Sequence, residues 1–157
     1  VAPSRSPMES RLYARYCLPL QYGGFNLTPV NLNWDIELPE DIAAATGKTH
    51  YSVDLYWPDG NIAIEYQGDF AHSGLSAEQR DRLKRNILET TGIQIISIDK
   101  RQYANEELLD VYGRQIAKRL KVKPSRMGSG PKYQIARGAL INELDAWDYD
   151  LYRPANR

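Results

Sequence analysis

Two acidic residues, Asp54 and Glu65, lie in short segments whose apolar residues alternate with other types, a pattern typical of β-strands. Residues 58–61, between the segments, have the composition of a tight turn. If these four residues form the loop, Trp57 pairs with Ile62 and Asp54 lies opposite Glu65. Opposed residues on one face have Cβ atoms about 4.5–5.5 Å apart, so two carboxylates there repel unless a positive charge separates them. Mg²⁺, which prefers a few carboxylates with water and phosphate oxygens, is the simplest such charge. The alternative is two strand acids exposed to solvent.

Three further residues are candidates for the same chemistry. Gln67 follows Glu65 by two positions, shares its face and would hold an attacking water or a phosphate oxygen. Glu9, early in a predicted helix, would reach a metal through water. His72, in a loop flanked by glycines, would bind the metal, orient water or protonate a leaving oxygen. Each has an ordinary alternative: a surface Gln, an acid favoured by the helix dipole, and a loop His.

Basic residues follow the acidic pair. Residues 1–78 hold 4 Lys or Arg and 10 Asp or Glu, whereas residues 79–157 hold 16 and 10. A phosphate-binding surface beside a metal site would produce this asymmetry, and so would solvated helix faces or favourable charge at a helix C-terminus. The predicted nucleic-acid contacts are Arg80, Lys84, Arg85, Lys118, Lys121, Lys123 and Arg126.

The composition is that of an ordinary globular chain of one domain. Of 157 residues, 42% are hydrophobic and 25% are charged, which is enough apolar material for a core. No apolar run approaches the 18 or so residues that a membrane span needs, so we expect no membrane association. The lone Cys17 excludes an internal disulfide and a Cys-based zinc site, and it fits a reducing cytoplasm. The start at Val1 indicates a fragment of a longer chain.

The elements that must position these residues alternate between helix and strand. The patterns predict a first helix from Pro7, capped by Ser6, and a helix from Ser76 to Gly92 that buries Leu83 and Ile87. The other predicted elements are short strands at 27–32 and 35–38, a helix at 39–46, the hairpin, a buried strand at 93–98, and helices at 105–120 and 133–146. This order indicates an α/β fold, a mixed sheet with helices on both faces.

The acidic pair also resembles a known signature. Asp54, then ten residues, then Glu65-Tyr66-Gln67 is similar to the pattern of PD-(D/E)XK nucleases, and more narrowly to relatives of very-short-patch-repair endonucleases. The resemblance covers residues 7–120. It includes Glu9 at the position of an accessory acid and His72 after the acids. Along the next helix, Asp81, Lys84, Leu88 and Gly92 keep the spacing of that branch.

The resemblance implies a central mixed sheet flanked by helices, a restriction-endonuclease-like core of order α-β-β-β-α-β-α, with a C-terminal helical extension. The core would span residues 7–121, after a flexible segment 1–6 and before a basic linker, helix and tail at 122–157. It also implies hydrolysis of DNA phosphodiesters by water activated by Mg²⁺ or Mn²⁺. Asp54 and Glu65 would be direct metal ligands, with the Tyr66 carbonyl and, through water, Glu9.

One departure from the family concerns Gln67, which stands where the usual residue is Lys. Gln cannot act as a base and carries no charge, so Lys84 and Arg80 would supply the positive charge that Gln67 lacks. The alternative is a nuclease-like domain that binds DNA or a partner protein without cutting, in a toxin–antitoxin or phage-defence regulator. Such domains occur in proteins resembling abortive-infection regulators, behind a DNA-binding module absent from this chain. A homodimer and a plain interaction domain stay open as well.

Overall fold

The computed structural model describes residues 6–67 and 75–151 of the chain. Within the second range, side chains are described for residues 78–146. The predicted flexible segment 1–6 therefore falls, except for Ser6, outside the described residues. The helices are α1 (Pro7–Cys17), α2 (Glu40–Thr46), α3 (Leu75–Thr90), α4 (Lys100–Tyr103), α5 (Glu106–Arg119) and α6 (Gly130–Leu151), and the strands are β1 (Asn31–Glu37), β2 (His50–Trp57), β3 (Ile62–Gln67) and β4 (Gln94–Asp99).

The strands form one open, mixed sheet in the order β1-β2-β3-β4. Strand β2 runs antiparallel to β1 and β3, and β4 runs parallel to β3. The parallel pair needs a long crossover, which contains α3. The turn between β2 and β3 has the predicted length, since Trp57 pairs with Ile62. The α/β class and the mixed sheet are therefore confirmed.

Two hydrophobic clusters cover the two faces of the sheet. Ile62 and Ile64 of β3 belong to the first cluster, which also contains residues of α1 and α5. Ala63, between them, belongs to the second cluster, to which α3 contributes Ile87 and Leu88. Since neighbouring residues of a strand point to opposite faces, helices lie on both sides of the sheet, as predicted.

Helix α1 begins as its sequence predicts. The Ser6 hydroxyl accepts from the Glu9 amide at 3.2 Å, and Pro7 occupies the first turn. Leu12 and Tyr16 are fully buried against the sheet, and the Tyr16 hydroxyl donates to the Leu109 carbonyl of α5 at 2.8 Å. This packing fixes the N-terminal turn of α1, and Glu9 with it, beside the sheet.

Helix α6 is anchored on α1 through a buried arginine. Arg137 is 5% exposed and donates to the carbonyls of Arg15 (3.3 Å) and Gly23 (3.0 Å) and to the Asp110 carboxylate (2.6 Å). Leu140 and Leu144 pack against Ala14. The predicted C-terminal extension is therefore packed on the same body as α1 and α5. Among the described helices, none combines the length and the apolar composition that crossing a membrane requires.

Several predicted boundaries are wrong. The segments 27–32 and 35–38 are replaced by the single strand β1, because the amides of Phe25 and Leu27 bond to the Arg15 and Tyr16 carbonyls at the end of α1. Leu83 is 49% exposed, because α3 faces the sheet with its Ile87 side.

Two helix ends and one short helix also differ from the prediction. Helix α3 begins at Leu75, so Ser76 lies within it, and α6 runs well beyond 133–146 at its C-terminal end. The short helix α4, capped by the Asp99 carboxylate on the Gln102 amide at 2.7 Å, was not predicted. These are end effects that depend on how each helix meets its neighbours.

The close contact between α5 and the core predicts that adding one methyl group at Gly113 destabilises the folded chain. A Cβ on Gly113 would lie 2.7 Å from the Phe25 ring and 3.2 Å from the Tyr16 ring, so Gly113→Ala should lower the free energy of unfolding by about 1–3 kcal/mol. Gly138→Ala in α6 is the matched control, because its Cβ meets no atom within 4 Å, and it should be neutral or stabilising by up to about 1 kcal/mol. Urea denaturation measures both, and equal effects would contradict the close packing.

Candidate active site

Strands β2 and β3 part at Asp54. Within the described residues, the two strands pair only from Leu55–Ile64 to Trp57–Ile62, whereas β2 stays paired with β1 as far as His50. The next position on β2 is Asp54, and its carboxylate accepts the Tyr66 amide at 2.7 Å. A side chain thus replaces a bond of the strand ladder. In a strand the N–H and C=O of one residue point to the same side, so the Tyr66 carbonyl also faces the gap between the strands.

The opposite side of β2 is distorted at the same place. Asn33 of β1 has a left-handed backbone (φ +47°), a conformation that Asn tolerates, between the Leu32–Leu55 and Trp34–Val53 pairs. Val53 and Leu55, which an unbroken strand would place on one face, belong to different hydrophobic clusters. Both strands therefore change their buried face at the level of Asp54.

Glu9 is held against this distortion. The carboxylate is on a residue that is 4% exposed, and it accepts a hydrogen bond from Asn33 Nδ2 at 2.9 Å. Its charge acts on Asp54, whose pKa it helps to raise. Glu9 of α1 is therefore close enough to Asp54 of β2 for its charge to act there.

Lys84 of α3 is the positive group at the gap. Its Nζ lies 2.5 Å from Glu65 Oε1 on β3 and 2.5 Å from the Ser52 carbonyl on β2. The pair is half-buried, with 15% of the Lys84 side chain and 25% of the Glu65 side chain exposed. The ammonium also lies 5.8 Å from the centroid of the Tyr51 ring. Lys84 therefore bridges the two strands where they separate, and its charge acts on Asp54 as well.

The environment of Asp54 favours its protonated form. The pKa of this carboxyl is raised to about 6 from an ordinary value of 3.8, mainly by burial and also by the negative charges of Glu9 and Glu65. The Tyr66 amide and the Lys84 ammonium act in the opposite direction and stabilise the carboxylate. Since the ionised form predominates above about pH 6, Asp54 carries a desolvated negative charge at neutral pH.

The oxygen donors at the gap suit a small hard cation, although they do not form a closed cage. Among the described residues, no three His, Cys, Asp or Glu side chains converge on one point that could hold a metal ion. The available donors are the carboxylates of Asp54 and Glu65 and the Tyr66 carbonyl, and Mg²⁺ commonly takes one or two carboxylates and keeps several waters. A cation that binds Glu65 Oε1 must share this oxygen with Lys84 or displace it.

Gln67 shares the face of Glu65, as predicted. It lines a cavity of about 310 Å³ together with Glu78, Asp81, Arg82 and Arg85 of α3. Arg85 also donates to the Ser97 hydroxyl of β4 at 2.8 Å, and Ser97 is the strand partner of Glu65. The predicted phosphate contacts Lys84 and Arg85 therefore lie beside the acids. Arg80, one turn before Lys84, is exposed to solvent.

The second predicted basic group lies at the other end of the sheet. Lys118 and Lys121 line a groove of about 840 Å³ beside the turn between β2 and β3. Glu65 lies three residues beyond the first residue of β3, about 10 Å further along the strand. The exposed Lys123 and Arg126 follow in the turn after α5. Lys118 and Lys121 of this second group therefore lie apart from the acids, and a nucleic-acid contact by the group stays a prediction. His72 lies outside the described residues.

Two residues beside the acids were not predicted from the sequence. Asn33 orients Glu9, and the Ser52 carbonyl receives Lys84. An Asn in the middle of a strand is a weak signal, because Asn is depleted in strands and enriched in left-handed conformations. A backbone carbonyl such as that of Ser52 carries no signal in side-chain identity.

Comparison of the chain with protein-family models, with curated proteins and with solved structures finds no match in any of the three.

The raised pKa of Asp54 predicts that Asp54→Asn increases the free energy of unfolding by an amount that depends on pH. The Asp54 carboxyl holds its proton more tightly in the native state than in the unfolded chain. The contribution of this proton to the free energy of unfolding is fully present below about pH 3.8 and is lost as pH rises through about 6. Asn keeps an acceptor for the Tyr66 amide and removes the charge. Relative to the parent, Asp54→Asn should therefore become increasingly stabilised between pH 4 and pH 7.

Urea denaturation of both proteins across this pH range measures the effect. Asp59→Asn, which removes an exposed carboxylate of the hairpin turn, is the control and should not reproduce the gain. A difference between Asp54→Asn and the parent that is constant with pH would show that Asp54 is not desolvated in the native state.

Proposed function

We propose that this protein is a Mg²⁺- or Mn²⁺-dependent DNA endonuclease of the PD-(D/E)XK type, related to the very-short-patch-repair branch. The observation that carries the proposal is the burial of Asp54, where β2 and β3 part, within electrostatic reach of Glu9, Glu65 and Lys84. Burial of a carboxyl beside two other acids opposes folding, and carboxyls with strongly perturbed pKa values cluster at functional sites. The site residues come from α1, β2 and β3, which are the elements that the resemblance implies.

The order of elements supports the same proposal. Without the short helices α2 and α4 and the terminal α6, the chain reads α1-β1-β2-β3-α3-β4-α5. This is the order α-β-β-β-α-β-α expected of a restriction-endonuclease-like core. The expected core boundary near residue 121 falls in the turn after α5. Helix α6 is then an addition that covers α1.

In this proposal the residues of the chain bind and orient the phosphodiester. Asp54, Glu65 and the Tyr66 carbonyl would hold the divalent ion, with Glu9 behind Asp54. The ion supplies activation of water and stabilisation of negative charge on the phosphate. Gln67, on the same face as Glu65, would hold the attacking water or a phosphate oxygen. Asp54 is suited to a ligand role above about pH 6, where it is ionised. A role for His72 stays a prediction.

In this proposal Lys84 supplies the positive charge that Gln67 lacks. Gln67 has no charge, whereas the Lys84 ammonium already lies at the Glu65 carboxylate on the same face of the sheet. When a cation occupies the oxygens of Glu65, Lys84 would be free to move to a phosphate oxygen. Arg85 and the exposed Arg80 extend the positive charge along α3. Phosphate contacts of this kind position DNA without reading its sequence.

A DNA-binding or partner-binding domain without cleavage is the second candidate. The ammonium of Lys84 at Glu65 favours it, because this ion pair balances the site without any metal. The domain would then act inside a regulator of toxin–antitoxin or phage-defence type. The distant basic group near Lys118 would serve backbone binding in either case. A homodimer, in which two sites cut two strands, fits only the nuclease.

Cleavage tests the first candidate directly. With Mg²⁺ or Mn²⁺, the parent should nick supercoiled plasmid, and Asp54→Ala and Glu65→Gln should each reduce the rate by about 100-fold or more, because each removes a ligand from the charge-stabilising centre. Glu37→Gln is the matched control, since Glu37 is an exposed acid of β1. EDTA should abolish nicking by the parent.

The outcomes separate the candidates. Nicking that survives Asp54→Ala would indicate a contaminating nuclease and contradict the proposal. No nicking with DNA binding that weakens as salt rises would support the binding domain. If the protein neither nicks plasmid nor binds DNA in a salt-sensitive way, the plain interaction domain is the remaining candidate.

The contact of Lys84 with Glu65 predicts that the lysine and the metal compete. Lys84→Met should tighten Mn²⁺ binding by about tenfold or more, because it removes a positive charge from the ligand carboxylate. The same change should slow nicking by about 100-fold, because it also removes a positive charge from the phosphate. Manganese affinity is measured by electron paramagnetic resonance of free Mn²⁺, independently of cleavage.

Lys48→Met is the matched control for this experiment. Lys48 packs on the same Tyr51 ring at 5.0 Å, but it is exposed and is not among the described partners of Glu65. It should leave Mn²⁺ affinity within about twofold. Unchanged Mn²⁺ binding by Lys84→Met would contradict the competition.

A further inference from the structure

A second cavity lies on the face of the sheet opposite Glu65, beside α1. It has a volume of about 480 Å³, within the range of small-molecule sites. Its apolar walls are Met8, Tyr66 and Tyr103, and its polar rim carries Lys100, Glu106 and Asp145. None of these residues except Tyr66 belongs to the proposed cleavage site, and Tyr66 contributes there only through its backbone. The cavity is therefore a separate candidate for a ligand.

The walls suit a flat aromatic ring. Tyr66 and Tyr103 have ring centroids 6.5 Å apart at an interplanar angle of 84°, so one ring can present its face to a ligand while the other presents its edge. Tyr103 is only 9% exposed, and the Arg15 guanidinium lies 5.5 Å from its centroid. Arg15 is itself bonded to the Glu106 carboxylate at 2.9 Å. These contacts hold the Tyr103 wall in place before any ligand binds.

The rim carries groups that recognise the other parts of a nucleotide. Lys100, at the start of α4, is an exposed ammonium that suits a phosphate. Asp145, near the end of the described side chains of α6, is an exposed carboxylate. A carboxylate accepts hydrogen bonds from the amino group of a base such as cytosine and offers nothing to the carbonyl that thymine carries there. Glu106 is already engaged by Arg15, which leaves Asp145 as the carboxylate for recognition.

Two adjacent residue pairs connect the cavity with the acids. Met8 lines the cavity, and its neighbour Glu9 bonds to Asn33 at the gap between the strands. Tyr66 lines the cavity with its side chain, whereas its amide donates to Asp54. Its neighbour Glu65 accepts from Lys84. The cavity and the acids are thus linked through adjacent residues of α1 and of the C-terminal part of β3. A DNA strand that crosses this end would present a phosphate to one side and its base to the other.

We propose that this cavity binds one nucleobase with an exocyclic amino group, unstacked from the DNA strand whose phosphate lies at the acids. The inference rests on the proposed nuclease function and specifies its substrate: single-stranded or locally opened DNA. The base stacks on Tyr66 beside Met8, its amino group bonds to Asp145, and Lys100 contacts a neighbouring phosphate. Stacking of a base on an aromatic side chain contributes about 1–3 kcal/mol.

The test measures binding in EDTA, so that cleavage plays no part. Fluorescence anisotropy gives the affinity of the full chain for labelled single-stranded octamers of deoxycytidine and of thymidine at pH 8. The parent should bind the cytidine octamer about tenfold more tightly than the thymidine octamer. Tyr66→Leu should weaken binding of both by about tenfold, because the stacking surface is lost.

Two further variants complete the test. Asp145→Asn should remove most of the preference for cytidine while it keeps the stacking surface. Trp34→Leu is the matched control, since Trp34 is an exposed aromatic residue of β1, outside the cavity, and both affinities should stay within about twofold. Thermal unfolding of each variant verifies that it is folded.

The results distinguish this proposal from the nuclease function itself. A parent that nicks plasmid but binds the two octamers equally, or a folded Tyr66→Leu that binds like the parent, would overturn the nucleobase site alone. A parent that neither nicks plasmid nor binds either octamer would overturn both proposals. A preference for cytidine that depends on Tyr66 and Asp145 would support the site whether or not the protein cleaves.

Discussion

The balance of charge where β2 and β3 part is the constraint on which the site depends. Lys84 contacts both strands, through the Ser52 carbonyl and the Glu65 carboxylate, and its charge also acts on Asp54. The negative charges of Glu9 and Glu65 raise the pKa of Asp54, and the ammonium from α3 acts in the opposite direction. The sheet stays closed over the hydrophobic pairs Leu55–Ile64 and Trp57–Ile62 and opens next to them.

The hairpin and its register follow from local sequence. A turn that contains Pro58, Asp59 and Gly60 has few alternatives in length, and one-residue slippage would move every apolar residue of β3 to the wrong face. This is why Asp54 and Glu65 can be placed near each other without a structure. The start of α1 is also local, since Ser6 and Pro7 act within one turn. The mixed sheet is compatible with the sequence because the parallel pair of β3 and β4 needs a long crossover, which the helical pattern of α3 supplies.

The rest of the site depends on contacts that no local pattern contains. Lys84 was expected to point at phosphate, and whether it reaches Glu65 depends on the distance between α3 and the sheet, which Ile87 and Leu88 set. The basic residues that begin at Lys118 were predicted as a second group, without a position relative to α3. Lys118 and Lys121 lie beside the hairpin turn, where Arg119 donates to the carbonyls of Gly60 (2.8 Å) and Asn61 (3.0 Å). A count of basic residues along the chain does not reveal that α5 directs its C-terminal end away from the acids.

The arrangement at Asp54 has a physical implication beyond the identity of the residues. A carboxyl whose pKa is raised to about 6 destabilises the folded chain at neutral pH, and an apolar or amide side chain would not carry this cost. The distortion at Asn33 is a second local departure from regular structure, at the same level of the sheet. Natural chains depart from locally consistent structure mainly at functional sites. The two departures share one level of the sheet and are linked through Glu9, which bonds to Asn33 and acts on Asp54, and they support the proposed binding of a divalent ion at this level.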